Sequence, residues 1–194
     1  MRLIAITGGI GSGKSVVSQL LQVMGYQVYD CDSRAKALMI ESEDVRRQLI
    51  QAFGEQTYVA DGSLNRIHLS EVAFADPLAL KRLNSIVHPA TALDMRKWGE
   101  KLSDQGHRIA FVETALLRTA GLDRVVDGVW HVTAPEQLRI QRVSQRSGLT
   151  AQQIKERMAA QADEERIVAG EDVITNDGMI ALLPQVMQLL QDLE

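Results

Sequence analysis

Residues 3–15 read LIAITGGIGSGKS, and this stretch decides the fold. Its first part, residues 3–7, is a short apolar run that two glycines end, which predicts a buried strand. The second part, from Gly8 to Ser15, fits the pattern G-x-x-x-x-G-K-[ST] in full. Residues 14–24 then place apolar side chains at helical spacing, so the glycines join a strand to a helix. This context is typical of a nucleotide phosphate-binding loop rather than of an incidental glycine turn.

Each residue type in the loop has a physical reason to lie beside phosphate. Glycines allow tight, partly left-handed turns whose backbone N–H groups converge on an anion. The following helix directs the positive end of its dipole at the same place. Lys14 adds a cation for the β- and γ-phosphates, and the Ser15 hydroxyl is a candidate ligand of Mg²⁺. The predicted nucleotide-binding residues are Gly8, Gly9, Gly11, Ser12, Gly13, Lys14, Ser15 and Val16.

The rest of the chain alternates strand and helix patterns. Such alternation favours βα units on a mostly parallel sheet, so we predict an α/β fold. From residue 64 to residue 102 no strand pattern occurs, and helix-like runs break at Pro77 and Pro89. The intervals 54–104 and 147–166 are therefore expected to be insertions, which often carry substrate-binding parts and lids. The other predicted strands are 28–32, 108–113, 125–133 and 172–175, and the other clear helices are 35–53, 135–146, one from Thr150, and 181–193.

Composition excludes several classes of protein. A chain of 194 residues with 45% hydrophobic residues is sized for one core domain with room for insertions. Its single cysteine, Cys31, excludes a disulfide framework and is typical of a reducing cytoplasm. The sequence contains no apolar run of about 18 residues, so no membrane span is predicted. A net charge of −4 argues against a broad basic surface, so any recognition of phosphate must be local.

The phosphate loop alone does not choose among switches, motors and kinases. The sequence contains neither the D-x-x-G element nor the N-K-x-D guanine reader of GTPase switches. The strand pattern at 108–113 ends in one acid, Glu113, where a motor ATPase would carry Asp-Glu. A small-molecule kinase needs a second substrate pocket and usually an arginine-bearing lid, because the transferred phosphoryl group must be stabilised and kept from water.

Three arginines meet the requirement for a lid. Arg139, Arg142 and Arg146 are spaced i, i+3 and i+7, which places their guanidinium groups along one helix face. The planar guanidinium suits bidentate recognition of phosphate, and Gly148 follows as a candidate hinge. A solvated helix face is the alternative explanation of such a charge run. Together with the phosphate loop, the pattern favours a kinase lid.

A pair of aspartates ends the second predicted strand. Asp30 and Asp32 are two residues apart, so in an extended segment both side chains point the same way. They follow the strand at the carboxyl edge, where open α/β sheets bind ligands. A carboxylate there can accept the proton of an attacking hydroxyl or hold Mg²⁺ through water. The alternative is a cap for the next helix, and Cys31 between them is expected to be a buried packing residue.

Residues spread over nearly the whole chain match one family pattern. The phosphate loop by itself is generic, but its combination with D-x-D and His-Pro is specific. The matching residues are Thr7 to Ser15, Asp30-Cys31-Asp32, Ala35, Asp61-Gly62, Leu64, Arg66, Phe74, His88-Pro89, Pro135-Glu136, Arg142, Arg146, Gln161, Asp172-Val173-Ile174, Asn176 and Gly178. With these residues in this order, the sequence closely resembles the dephospho-coenzyme A kinase family.

The resemblance implies a fold and an activity. The implied fold is the three-layer fold of P-loop NTPases, with a five-stranded parallel sheet, a helical substrate-binding insertion at about 54–104 and a lid at about 147–166. The remaining core would be about 1–53, 105–146 and 167–194. The implied reaction transfers the ATP γ-phosphoryl to the 3′-hydroxyl of dephospho-CoA, with Mg²⁺, as the last step of coenzyme A biosynthesis. We expect a cytoplasmic monomer or small homo-oligomer that binds neither nucleic acid nor membrane.

The resemblance also implies residue roles. Asp32 is the favoured general base, Lys14 and the loop amides hold phosphates, and Arg142 and Arg146 reach in from the lid side. Arg66 and His88 would lie in or near the acceptor insertion. A packing role for His88 is an equal alternative, because a residue before proline is restricted toward extended conformations. Asn176 is a candidate adenine contact, with a turn role as the alternative.

One stretch departs from the family pattern. Where the family commonly has Pro-Leu-Leu-aromatic-Glu, residues 115–119 read Ala-Leu-Leu-Arg-Thr, so both the proline and the glutamate are lost. Glu113 keeps a carboxylate near that edge. The alternative functions are another small nucleoside or nucleotide kinase, or a regulatory protein that ATP gates.

Overall fold

A computed structural model of the chain, which describes residues 1–193 apart from the side chain of Phe74, contains a sheet of five parallel strands. The strand order is β2-β3-β1-β4-β5. The predicted α/β class and the five-stranded parallel sheet are thus confirmed. The motif residue Phe74 has its side chain outside the described part. The strands are β1 (Arg2–Thr7), β2 (Val28–Asp30), β3 (Ile109–Glu113), β4 (Gly128–Thr133) and β5 (Asp172–Thr175).

The central strand β1 is buried on both faces. Ile4 and Ile6 point to one face of the sheet, and Ala5 and Thr7 point to the other. All four residues are at most 1% exposed. A parallel strand that is covered on both faces reads as a continuous apolar run instead of an alternating one. That is why the run at residues 3–7 predicts this strand correctly.

The helices follow the strands as the α/β pattern requires. The predicted helices at 14–24, 135–146, from Thr150 and at 181–193 are each found within a few residues of the expected ends. No helix within residues 1–193 is long and apolar enough to cross a membrane. The helices are α1 (Lys14–Val23), α2 (Cys31–Glu41), α3 (Glu43–Phe53), α4 (Arg66–Ala75), α5 (Pro77–Asp104), α6 (Glu136–Ser147), α7 (Ala151–Ala160), α8 (Ala162–Glu165) and α9 (Leu182–Leu193).

The chain forms two compact units, and the first contains the whole sheet. It consists of Met1–Asp30 and of the chain from Leu102 onward. Its core is built around Phe111 of β3 and Trp130 of β4, whose ring centroids are 4.9 Å apart. Helices α1 and α9 cover this face of the sheet with four buried residues, which are Val17, Leu21, Val186 and Leu190.

The second unit, Cys31–Lys101, is helical. Its small core contains Val45, Leu49 and Tyr58. The Arg46 guanidinium lies 4.0 Å from the centre of the Tyr58 ring and donates a 2.7 Å hydrogen bond to the Gly62 carbonyl. This unit includes α2 and α3, and the predicted division into a core and an insertion from about residue 54 stays a prediction.

Two helix predictions in the second unit are wrong. The single helix expected over 35–53 is two helices, because the Ser42 side chain accepts a hydrogen bond from the Val45 N–H and caps α3. The break expected at Pro89 does not occur, since Pro89 lies inside the 28-residue helix α5. His88 is therefore helical and not extended. Buried residues four apart, at Val87, Thr91 and Met95, keep one face of α5 packed through the proline.

Core burial predicts how stability responds to mutation. Phe111 is 0% exposed, so we expect Phe111→Ala to lower the free energy of unfolding by about 3–5 kcal/mol. Val23, on the outer face of α1, is 87% exposed, and Val23→Ala should change that energy by less than about 0.5 kcal/mol. Urea titrations followed by circular dichroism measure both. Equal losses in the two variants would contradict this description of the core.

Candidate active site

The glycine loop between β1 and α1 has the backbone conformation that an anion site requires. Gly8, Gly11 and Gly13 have φ angles of +141°, +78° and +98°. Residues other than glycine rarely adopt such φ angles. These turns carry the chain from the carboxyl end of β1 into the first turn of α1. The glycines therefore allow the turns that the predicted phosphate loop requires.

Two of the glycines are also required by close packing. A Cβ atom built on Gly8 would lie 2.2 Å from the Val132 carbonyl oxygen of β4. A Cβ atom built on Gly13 would lie 2.0 Å from Nδ2 of Asn176. A side chain at Gly8 would push against the backbone of β4, and one at Gly13 would displace the Asn176 amide. The loop sequence thus records tertiary packing as well as turn geometry.

The amino end of α1 faces this loop without a competing acid. No acidic residue lies in the first turn of α1, so no carboxylate there competes with an anion for the positive end of the helix dipole. Lys14 Nζ donates a 2.8 Å hydrogen bond to the Gly8 carbonyl. The Ser12 hydroxyl is buried and has no hydrogen-bond partner among the described residues. A buried hydroxyl of this kind fits a loop that holds phosphate oxygens.

Asn176 anchors the loop through hydrogen bonds of its side-chain amide. Its Nδ2 donates a 2.8 Å hydrogen bond to the Ser12 carbonyl, and its Oδ1 accepts one of 3.3 Å from Arg142. Its backbone N–H donates to the Thr133 carbonyl at the end of β4. The residue is 8% exposed. Both ends of the amide contact protein groups at the loop, so this geometry supports a role in loop anchoring, and the adenine contact stays a prediction.

The arginine row of α6 consists of Arg139, Arg142 and Arg146, and these three side chains have different surroundings. Arg139 Nε donates a 2.8 Å hydrogen bond to the Ile10 carbonyl. Arg142 Nη1 donates longer bonds, 3.4 Å each, to the carbonyls of Gly11 and Ser12. Arg146 lies in the last turn of α6 and is exposed. The spacing i, i+3, i+7 thus brings the first two arginines to the loop and leaves the third in solvent.

Two side chains from the chain after α7 complete the loop's surroundings. The Gln161 Oε1 atom accepts a 3.1 Å hydrogen bond from the Ile10 N–H. The Glu165 carboxylate accepts two hydrogen bonds from the Arg139 guanidinium, one of them 2.7 Å long. Sequence reasoning assigned no role to Glu165, because its partner is 26 residues away and no local pattern marks the contact.

Acidic residues end β2 and β3, two neighbouring strands on one side of β1. Asp30 is the last residue of β2 and pairs in register with Glu113, the last residue of β3. Asp32 lies in the first turn of α2, and its side chain is exposed. The prediction that Asp30 and Asp32 share an extended segment is wrong, because the helix starts at Cys31. Cys31 is buried, as expected.

The second unit holds the predicted acceptor residues. Arg66 is exposed at the start of α4, where the Asn65 side chain caps the helix. His88 is half-buried in α5. Arg34, two residues after Asp32, forms a bidentate ion pair with Asp94 of α5 at 3.1 and 3.2 Å. This pair joins α2 to α5 inside the unit, and no sequence pattern predicts it.

A metal ion would find few direct protein ligands here. Within residues 1–193, leaving out Phe74, the side chains form no group of three His, Cys, Asp or Glu residues that could hold a metal. Mg²⁺ in phosphoryl-transfer sites usually keeps several waters and binds phosphate oxygens with one or two protein ligands. Ser15, the second residue of α1, supplies one hydroxyl at the loop. The donor set therefore fits a phosphate-borne Mg²⁺ and not a dedicated protein cage.

Comparison with known proteins decides the family. A model of the family described as Dephospho-CoA kinase (CoaE) matches residues 2–181. The chain belongs to the dephospho-CoA kinase family. It is 37% identical over 195 residues to the dephospho-CoA kinase of Anaeromyxobacter dehalogenans, covering 100% of this chain and 92% of that one. The dephospho-CoA kinase of Salinibacter ruber is 39% identical over 181 residues, which are 93% of this chain and 91% of that protein.

Solved structures share the fold. The crystal structure of TT1252 from Thermus thermophilus superposes with a TM-score of 0.76 at 32% identity, covering 98% of this chain and 95% of that one. The dephospho-CoA kinase of Campylobacter jejuni superposes with a TM-score of 0.73 over 99% of this chain and 97% of that one. Its 22% identity supports the fold alone. As a member of the dephospho-CoA kinase family, the chain is an ATP-dependent kinase.

The contact between Gly13 and Asn176 gives a test of the site. We expect Gly13→Ala to abolish measurable ATP binding, because the new Cβ would displace the Asn176 amide and the Ser12 carbonyl it holds. Gly25→Ala is the matched control. Gly25 has a similar φ of +92°, but no atom lies within 4 Å of the Cβ position. Isothermal titration calorimetry with MgATP should show wild-type affinity in this control, whereas similar losses in both variants would contradict the packing argument.

Proposed function

We propose that this chain transfers the γ-phosphoryl group of ATP to the 3′-hydroxyl of dephospho-CoA, giving coenzyme A and ADP. The observation that carries the proposal is a complete phosphate loop, Gly8 to Ser15, at the carboxyl end of β1 in a chain of the dephospho-CoA kinase family. The loop supplies the nucleotide site. Family membership supplies the class of acceptor.

The nucleotide end of the reaction rests on the loop and α1. The β- and γ-phosphates bind the loop amides and the amino end of α1, and Lys14 turns from the Gly8 carbonyl to a phosphate oxygen. Ser15 would hold Mg²⁺ together with water. The chemistry that Mg²⁺ would supply there is neutralisation of phosphate charge. Val16, which is exposed in the first turn of α1, is proposed to border the same site.

Asp32 is proposed as the general base. Its carboxylate is exposed in the first turn of α2, directly after the carboxyl end of β2. Ligands of open α/β sheets bind at this edge. The carboxylate orients the 3′-hydroxyl and accepts its proton as the oxygen attacks the γ-phosphorus and ADP leaves. The ion pair between Arg34 and Asp94 holds the turn of α2 that follows.

Charge on the transferred group is proposed to be stabilised by Arg142 and Arg146. The 3.4 Å bonds from Arg142 to the loop carbonyls are long, so a phosphate oxygen can replace one of them. Arg146 is exposed and can turn toward the nucleotide when residues 147–160 of the predicted lid 147–166 close, while Gln161 keeps its hydrogen bond to Ile10. Since the transition state is loose, positioning and charge supply most of the acceleration.

The acceptor is proposed to contact the second unit. Arg66, exposed at the start of α4, offers a cation for the phosphates of dephospho-CoA. His88 is proposed to contribute a ring nitrogen or packing from α5. We also propose that the protein works in the cytoplasm as a monomer or small homo-oligomer, with dephospho-CoA and not nucleic acid as its partner.

A coupled ADP-release assay tests the acceptor. Dephospho-CoA, adenosine and AMP are offered separately with MgATP, and ADP release above the ATP-only rate is measured. We expect turnover with dephospho-CoA alone. Turnover with adenosine or AMP instead would favour another nucleoside or nucleotide kinase. ATP binding without acceptor-dependent turnover would favour a regulatory protein.

Lys14→Ala tests the nucleotide site in the same assay. Loss of the Lys14 ammonium should weaken ATP handling with every acceptor, because the cation serves the β- and γ-phosphates. Lys36→Ala, at an exposed position of α2, keeps the loop intact and should behave as the wild type. Wild-type turnover in Lys14→Ala would contradict the proposed nucleotide site.

Asp32→Asn tests the general base. We expect kcat to fall by about 10²–10⁴ with ATP affinity nearly unchanged, because the amide cannot accept the hydroxyl proton. Asp123→Asn, at an exposed carboxylate in the turn before β4, should leave kcat unchanged. Pre-steady-state quench flow measures the chemical step separately from product release. A near-normal chemical step in Asp32→Asn would remove Asp32 from the proposed mechanism.

A further inference from the structure

Residues 161–171, which we call the brace segment, are bound on two sides. One side contacts the apex of the phosphate loop at Ile10. Gln161 accepts from the Ile10 N–H, while Arg139, held by Glu165, donates to the Ile10 carbonyl. The N–H and the carbonyl of Ile10 are therefore both paired with side chains. The brace segment supplies one of them, Gln161, and orients the other, Arg139, through Glu165. The position of the loop apex depends on where the brace segment lies.

The other side of the brace segment contacts the chain after β3. The Glu164 carboxylate accepts hydrogen bonds from the backbone N–H groups of Arg118 and Thr119, at 3.0 and 2.7 Å. The Arg118 guanidinium donates a 3.1 Å bond back to the Glu164 carbonyl and forms an ion pair with Glu171. Arg118 thus joins two points of the brace segment that are seven residues apart in the sequence.

These contacts lie in a poorly solvated region. Glu164 is 3% exposed, and the side chains of Glu171 and Arg118 are 9% and 23% exposed. Glu171 also approaches Nδ1 of buried His131 at 3.3 Å, and burial lowers the pKa of this histidine. Ion pairs at low exposure are screened little by solvent. Removing the Arg118 charge would leave Glu171 without its cation there.

We propose that Arg118 is a positioning residue for nucleotide binding. It holds the brace segment, the brace segment holds Gln161 and the pair of Glu165 and Arg139, and these hold Ile10 at the apex of the phosphate loop. Arg118 itself does not contact the nucleotide. Arg118 lies in the stretch 115–119, where the sequence departs from the family pattern. A residue that departs from the pattern would thus support nucleotide binding in this chain.

Direct binding measurements test the proposal. We expect Arg118→Met to weaken MgATP binding by about 3- to 30-fold, the range typical of mutations that act through a packed network. Arg118→Lys, which keeps the charge toward Glu171 and loses the fork, should restore part of the affinity. Val186→Ala in α9 is the control for a general loss of stability, since Val186 is 0% exposed and packs in the sheet core. It should bind MgATP as the wild type does.

A double-mutant cycle separates positioning from a merely structural role. If Arg118 acts through Gln161, the variant that combines Arg118→Met with Gln161→Ala should lose less affinity than the product of the two single losses. Glu171→Gln provides a second way to break the network if Arg118→Met fails to fold, and it should weaken MgATP binding in the same direction. Multiplicative losses, unchanged affinity in the folded variants, or equal weakening in Val186→Ala would each overturn the proposal.

The kinetic part of the test rests on the proposed function. In the ADP-release assay, Arg118→Met should raise KM for ATP and leave KM for dephospho-CoA unchanged. Equal increases in both KM values would contradict a role at the nucleotide. If the wild type did not use dephospho-CoA, the proposed function would fail while calorimetry with MgATP still decided the role of Arg118.

Discussion

An anion site built from backbone N–H groups requires the carbonyl groups of the same loop to point away and be paired elsewhere. In this chain the Gly9 carbonyl accepts from the Ser12 N–H, and the next three carbonyls are paired by side chains. Arg139 donates a hydrogen bond to the Ile10 carbonyl, and Arg142 donates to the carbonyls of Gly11 and Ser12. The Ser12 carbonyl also accepts a hydrogen bond from Asn176. The elements that carry these residues, α6 and the chain after β5, must lie beside the loop for it to hold its shape.

The same side chains bring positive charge to one loop of an acidic chain. The net charge is −4, yet cations are concentrated at the loop. Arg139 is paired with Glu165 and serves the loop's backbone, whereas Lys14 contacts the Gly8 carbonyl and belongs to the loop itself. The arginine row therefore combines structural support with charge. Sequence spacing alone does not distinguish these two uses, because both place guanidinium groups on the same helix face.

Local patterns predicted most of the first unit. The strand β1, the loop and α1 follow directly from residues 3–24, and the parallel sheet follows from alternating strand and helix patterns. Predictions failed where a local preference met tertiary packing. Pro89 lies within α5 because buried residues on both sides of it keep one face of the helix packed. The strand ends at Asp30 instead of Asp32, since α2 begins at Cys31.

By itself, the sequence determined the class of fold and the family, because these depend on local patterns and short motifs that occur in a fixed order along the chain. Only the tertiary structure decided what supports the loop. Asn176 is 164 residues from Ser12, and Arg142 is 131 residues from Gly11. Glu164 reaches the backbone of Arg118 across 46 residues. No spacing rule predicts such pairs, since their partners meet only when the sheet brings the ends of β1, β3, β4 and β5 to one edge.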